Sequence, residues 1–153
     1  MGQIDVASPV GPLAITAQDG AITALTWGCA RDEAGDEAAL LEQAKSQIDA
    51  YFRGELTRFD LPLSVQGSEL QRQVCAAMSA IPFGETRTYG EIAEELGVPA
   101  QAIGQACGGN PIPIIIPCHR VLSATGLGGF SAAGGVETKV ALLRHEGAAS
   151  LLI

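Results

Sequence analysis

Between Asn110 and Val121 the chain reads Asn-Pro-Ile-Pro-Ile-Ile-Ile-Pro-Cys-His-Arg-Val. No other stretch limits the fold as strongly. Its four isoleucines ask for burial. Pro111, Pro113 and Pro117 each lack a backbone N–H and fix φ, so neither a helix nor a central strand can run through. Residues 114–116 are therefore predicted as a short buried strand segment fenced by Pro113 and Pro117. Cys118 follows at the edge of a core, on irregular backbone that the packed isoleucines hold still, which is where a reactive group is well placed. A Cys-His pair alone reads as a small buried thiol beside a surface histidine. The length of the string argues for more.

The chain has 153 residues, 47% of them hydrophobic, enough for one ordinary domain or two small ones. No apolar run reaches membrane-spanning length, and the first residues lack the basic-then-apolar pattern of a signal peptide, so a cytoplasmic protein is expected. The cysteines are Cys29, Cys75, Cys107 and Cys118 and the histidines His119 and His145, with no Cys-x-x-Cys pair. No metal site and no cofactor are expected from that scatter, and the cysteines read as free thiols. Cys75 and Cys107 fall on helical patterns and are expected to pack as small apolar groups. The net charge of −8 argues against a general nucleic-acid binder.

Residues 4–28 alternate in short strands with Asp19-Gly20 between two of them, the signature of hairpins. Residues 28–37 are polar and read as a loop. Residues 38–52 carry Leu40, Leu41, Ala44, Ile48, Tyr51 and Phe52 at helical spacing, and Gly54 ends the pattern. Residues 58–65 are extended, with Pro62 confining them to an edge or a linker. This first part shows no chemistry of its own. Ser68-Glu69-Leu70-Gln71 and Thr88-Tyr89-Gly90-Glu91 are two predicted capping boxes, each opening a helix. Gly97 stops the second helix, Pro99 suits a first helical position, and residues 100–107 form the next helix before Gly108-Gly109 break it. The two short helices make a helix-turn-helix pattern, which serves DNA binding in some proteins and plain packing in many others. A glycine-rich loop over 123–135 leads to a closing helix over 136–145.

If Cys118 is a nucleophile, it needs a base or a cation, because the thiolate is the reactive form. His119 is next in sequence and can take a proton on one nitrogen while the other is held in place. Glu146, just past the closing helix, is the candidate carboxylate; by itself it reads equally well as a solvated helix-end charge. Asn110 precedes a proline, where its amide is suited to bond nearby backbone. Lys139 by itself reads as a solvated surface charge.

The string through Pro-Cys-His-Arg-Val, with His145-Glu146-Gly147 near the end, resembles the active-site motifs of the O6-alkylguanine-DNA alkyltransferases, also called methylated-DNA–protein-cysteine methyltransferases. Residues 8–13 and 51–56 look like the N-terminal unit of bacterial members, and residues 81–89 like the start of the DNA-binding half. The resemblance implies an α+β chain: a small ribonuclease H-like N-terminal unit over 1–65, then a helical, winged helix-turn-helix unit over 66–153. It implies a DNA repair protein that moves a methyl or other alkyl group from O6 of guanine, and from O4 of thymine, irreversibly to Cys118, once per molecule. Cys118, a water, His119 and Glu146 would form the relay, and Asn110 would orient the thiol. Tyr89 would donate to the minor-groove ring nitrogen of a flipped-out base. Backbone groups of Cys118, Val121 and Ser131 would read its edges, beside Phe130, which stands where the family often has tyrosine. Lys139 matches a lysine of the closing helix.

Contacts to DNA are implied at Gln101, Ala100, Gly108, Arg87 and Arg120, with Arg72 and Lys139 as further cations. Gln101 stands where the family usually carries an arginine that enters the base stack, and residues 97–117 contain no Lys or Arg. Alkylated duplex DNA is thus the expected partner of a monomer, bound weakly through few basic contacts. Transfer from a free base or another small alkyl donor, a damage-sensing module without transfer, and a purely structural helix-turn-helix domain are the alternatives.

Overall fold

The computed structural model describes residues 1–128 and 135–148. The predicted site residues Phe130 and Ser131 lie outside the described residues. The chain divides into two compact units, Met1–Gln66 and Gly67–Ile153.

In the first unit, β1 (Gly2–Val6), β2 (Leu13–Gln18) and β3 (Ala21–Trp27) form an antiparallel sheet in the order β1-β2-β3. Asp19 and Gly20 join β2 to β3 with φ of 52° and 79°. Two successive positive φ values make the tight turn whose twist suits a hairpin, and Asp-Gly tolerates it. Helix α1 (Ala38–Phe52) packs on β1 and β2 and buries Leu41, Ala44, Ile48 and Tyr51, one stripe at helical spacing. The extended stretch near Pro62 lies along β3: Ile22 N–H donates to the Pro62 carbonyl at 2.8 Å, and Ser64 N–H donates to the Ile22 carbonyl at 2.9 Å. Proline is tolerated there because only its carbonyl is needed.

The second unit holds α2 (Glu69–Ser79), β4 (Arg87–Thr88), α3 (Tyr89–Leu96), α4 (Ala100–Gly108), a 3-10 turn (Cys118–Arg120), β5 (Val121–Leu122) and α5 (Val136–His145). Both halves of the capping box at α3 are present: Thr88 accepts from Glu91 N–H, and the Glu91 carboxylate accepts from Thr88 N–H. The box expected at α2 is only half made. Ser68 accepts from Gln71 N–H, but the Gln71 amide turns inward and donates to the Ala106 carbonyl at 2.8 Å. A buried carbonyl of α4 outcompetes a solvent-exposed cap. Gly97, at φ 69°, ends α3, and α4 buries Ile103, Ala106 and Cys107.

The strand segment expected at 114–116 is instead a tight turn. Pro113 bridges to Ile116, Ile116 N–H donates to the Ile112 carbonyl at 2.9 Å, and Ile114 sits at φ 73°. A positive φ is costly for a β-branched residue, on the order of 1–3 kcal/mol. It is held because Ile112, Ile114, Ile115 and Ile116 are all buried. The apolar run marked burial, and the prolines decided the backbone. β4 pairs in parallel with β5, Arg87 opposite Val121 and Thr88 opposite Leu122. That short pair sets the start of α3 beside the residues that follow Cys118. The architecture is α+β: a small N-terminal sheet with its helix, then a helical unit carrying the helix-turn-helix.

Candidate active site

The site grows out of the end of α4. Asn110 accepts from Ile112 N–H at 3.0 Å with its side-chain oxygen and donates to the Ile116 carbonyl at 2.8 Å with its amide. One side chain thus clamps both ends of the isoleucine turn. Pro117, at φ −80° and ψ 69°, is the centre of an inverse γ-turn closed by Cys118 N–H on the Ile116 carbonyl at 2.8 Å. Cys118 is delivered with 7% of its surface exposed. Burial pushes its thiol pKa up; a hydrogen bond with Asn110 and the Lys139 charge pull the other way but are smaller. The resting group is a thiol.

His119 is fully buried, and its Nε2 lies 2.7 Å from Glu146 Oε2. A carboxylate can only accept, so the proton sits on Nε2 and Nδ1 keeps its lone pair. Nδ1 is buried and has no hydrogen-bond partner among the described residues. Burial lowers the His119 pKa more than Glu146 raises it, and Arg120 and Lys139 lower it further. The ring is a neutral imidazole, aimed by its carboxylate.

Glu146 caps the C-terminal end of α5 and is buried rather than solvated. Arg120 donates from Nε to its Oε1 at 2.7 Å and from Nη2 to its Oε2 at 2.9 Å, while Nη1 donates to the Ile81 carbonyl at 2.6 Å. Arg120 is 6% exposed. Its placement corrects the expectation that it meets DNA phosphates: the guanidinium is turned inward because the buried carboxylate needs it.

Lys139 also departs from its reading as a solvated charge. It is fully buried, and its Nζ donates to the carbonyls of Val121 at 2.6 Å and Leu127 at 2.5 Å. Burial brings its pKa down to about 8, against the opposing pull of Cys118 and Cys107. The ammonium lies 5.8 Å from the centre of the Tyr89 ring. The Val121 carbonyl thereby has one lone pair committed to Lys139. Tyr89 opens α3 and is half-buried; burial, then Cys107 and Cys118, push its hydroxyl pKa up. Gly128, at φ 72°, lies against it: a Cβ there would come within 2.9 Å of Tyr89 Cε2.

Cys118, Tyr89 and Lys139 therefore share one environment, and Cys107 joins it. Its pKa is pushed up to about 12, chiefly by burial, and its Sγ lies 3.5 Å from Met78 Sδ. Cys107 is the small apolar group expected. Sequence reasoning missed that it lies near enough to Cys118 for the charge on that residue to raise its pKa further, and helical periodicity carries no signal for it. Of the predicted DNA contacts, Ala100, Gln101 and Gly108 lie on the exposed side of α4. Arg87 pairs with Glu95 at 3.0 Å and Arg72 with Glu69 at 3.0 Å. Among the described residues no group of three or more His, Cys, Asp or Glu side chains is disposed to hold a metal ion. No helix among them is long and apolar enough to cross a membrane.

Two family models match the chain: the 6-O-methylguanine DNA methyltransferase ribonuclease-like domain over residues 6–65, and the DNA-binding domain of the same family over residues 69–148. A methylated-DNA–protein-cysteine methyltransferase of Mycolicibacterium paratuberculosis is 45% identical, the match covering 92% of this chain and 89% of the relative. One from Methanosarcina acetivorans is 41% identical over 92% of this chain and 94% of its own. The crystal structure of Mycobacterium tuberculosis OGT in complex with DNA superposes with a TM-score of 0.84 at 41% identity, covering 96% of this chain and 93% of that one. With both halves matched and the Cys118–His119–Glu146 constellation present, the chain belongs to the 6-O-methylguanine DNA methyltransferase family.

Proposed function

We propose that this protein repairs alkylated DNA by moving an alkyl group from O6 of guanine to the sulfur of Cys118. The observation that carries the reading is the tautomer fixed at His119, the residue after Cys118 in the chain: Nε2–H is tied to Glu146, and Nδ1 is a buried lone pair with no hydrogen-bond partner among the described residues. The Cys118 proton passes to Nδ1, directly or through a water. The sulfur attacks the alkyl carbon in line, the S–C bond forms as the C–O bond breaks, and the electron pair goes to the guanine. The Tyr89 hydroxyl is the donor for the minor-groove ring nitrogen, where that charge develops. The Lys139 charge favours the thiolate form of Cys118, and its ammonium lies 5.8 Å from the centre of the Tyr89 ring. Asn110 steadies the loop and the thiolate. The backbones of Val121 and Ser131, with Phe130 as a wall, are assigned to the base.

A cysteine only 7% exposed cannot meet a base inside a duplex, so the base is rotated out to reach it. None of these groups is set to hydrolyse a thioether, so each molecule reacts once. DNA docks on α4 through Ala100, Gln101 and Gly108, with Arg87 at the rim. The protein acts as a monomer, and O4-alkylthymine is a second substrate.

Incubation with a duplex bearing O6-methylguanine, followed by peptide mass spectrometry, tests this. One methyl mass on the Cys118 peptide, absent from Cys118→Ala, is expected; an unmodified Cys118, or product beyond one equivalent, contradicts it. The scarcity of unpaired cations near α4 favours a second reading, transfer from free alkylated bases. Faster reaction with free O6-benzylguanine than with the duplex would select it.

A further inference from the structure

We infer that Arg120 is a positioning residue for alkyl transfer: by gripping both oxygens of Glu146 it fixes the His119 imidazole, which holds its proton on Nε2 and keeps the Nδ1 lone pair available to take the Cys118 proton. The inference rests on the alkyl-transfer reading. Glu146 follows the last residue of α5, where helices fray, and a single hydrogen bond to His119 leaves the carboxylate free to swivel. The planar guanidinium removes that freedom. Its Nε and Nη2 meet the two oxygens at 2.7 and 2.9 Å, and Nη1 is anchored on the Ile81 carbonyl just past α2. A fork held at three points sets a plane; a lysine ammonium sets only a distance.

The surroundings hold the fork in turn. The Arg120 guanidinium carbon lies 5.9 Å from the centre of the Phe83 ring, and Phe83 meets His145 edge-on at 6.3 Å. A Cβ on Gly84 would come within 3.3 Å of the Glu146 carbonyl, so residues 82–84 close against the same helix end. Stability alone does not account for the arrangement, because apolar replacements of a buried ion pair are often neutral or stabilising. Nor does DNA binding, since the guanidinium is buried and its three nitrogens are committed to Glu146 and the Ile81 carbonyl.

Single-turnover transfer should be measured with Arg120→Lys, Arg120→Gln and Glu146→Gln, on free O6-benzylguanine and on an O6-methylguanine duplex. With R120K the rate at saturation should fall on both substrates, by about 10- to 100-fold, the penalty of a misplaced reacting group. Duplex affinity and its salt slope should not change. The R120K/E146Q double variant should be no more than about threefold slower than E146Q, because both act through one carboxylate. In R120Q, where the cation is gone, the acid limb of the pH–rate profile should move to higher pH, since Arg120 lowers the His119 pKa.

Wild-type rates in R120K would overturn the inference. So would a loss confined to the duplex with a salt slope about one unit shallower, the mark of a phosphate contact, or multiplying effects in the double variant. Should neither R120K nor R120Q melt cooperatively, Arg120 is a structural residue and the inference falls. If the wild-type protein takes no alkyl group from either substrate, the alkyl-transfer reading itself is lost.

Discussion

His119 works because burial and pairing pull on it in opposite directions and burial prevails. A solvated histidine beside a carboxylate would be driven toward the cation and could accept nothing. Here the ring stays neutral, its one proton pinned on Glu146. The same burial leaves a signature in stability. In the unfolded chain His119 takes up a proton near its ordinary value of 6.5; in the folded protein it does so only at lower pH. The unfolded state therefore binds more protons just below 6.5, and stability is lost as pH falls through that window. Urea unfolding from pH 7 down to about 5, above the range where ordinary carboxylates titrate, should show this decline. His119→Asn should flatten it; an equal slope in both proteins would contradict the assignment.

At the level of elements, the site is three irregular segments held by regular ones. The isoleucine turn is clamped by Asn110, the 3-10 turn is pinned by the β4–β5 pair, and the 123–128 loop is tied to α5 by Lys139. Gly128 is where that loop closes on Tyr89. A methyl group there would meet the ring at 2.9 Å and sit at φ 72°, which side chains avoid. Gly128→Ala is expected to cost about 1–3 kcal/mol for the backbone conformation. It should also slow transfer by displacing the Tyr89 hydroxyl. Denaturant midpoints and single-turnover rates measure the two effects separately, and unchanged values for both would show that the loop does not set the ring.

For the whole molecule, charge is the governing quantity. The net charge is −8, residues 97–117 contribute no cation, and Arg120 and Lys139 face inward. Arg87 and Arg72 would have to give up Glu95 and Glu69 to reach a phosphate. Few counterions are then released on docking, and affinity for duplex DNA should depend weakly on salt. A plot of log affinity against log salt is expected to be shallower than about −3, corresponding to roughly three neutralised phosphates. Fluorescence anisotropy across a salt series checks this, and a markedly steeper slope would point to cations placed at the backbone.

Taken alone, the sequence placed most helix ends, because caps and stops are local chemistry: Thr88 and Glu91 find each other within one turn, and Gly97 is free to take the left-handed conformation that ends α3. It also brought Cys118, His119 and Glu146 together, though only through a long motif, since nothing local says that residue 146 folds back onto residue 119. The chain's own pattern misled at 114–116, where apolar composition reports burial and not backbone path, and at Gln71, whose amide found a distant carbonyl. Which charges lie inside was decided by tertiary structure alone. Arg120 and Lys139 read as surface cations along the chain, and only packing shows the carboxylate and the carbonyls that compensate for their lost water.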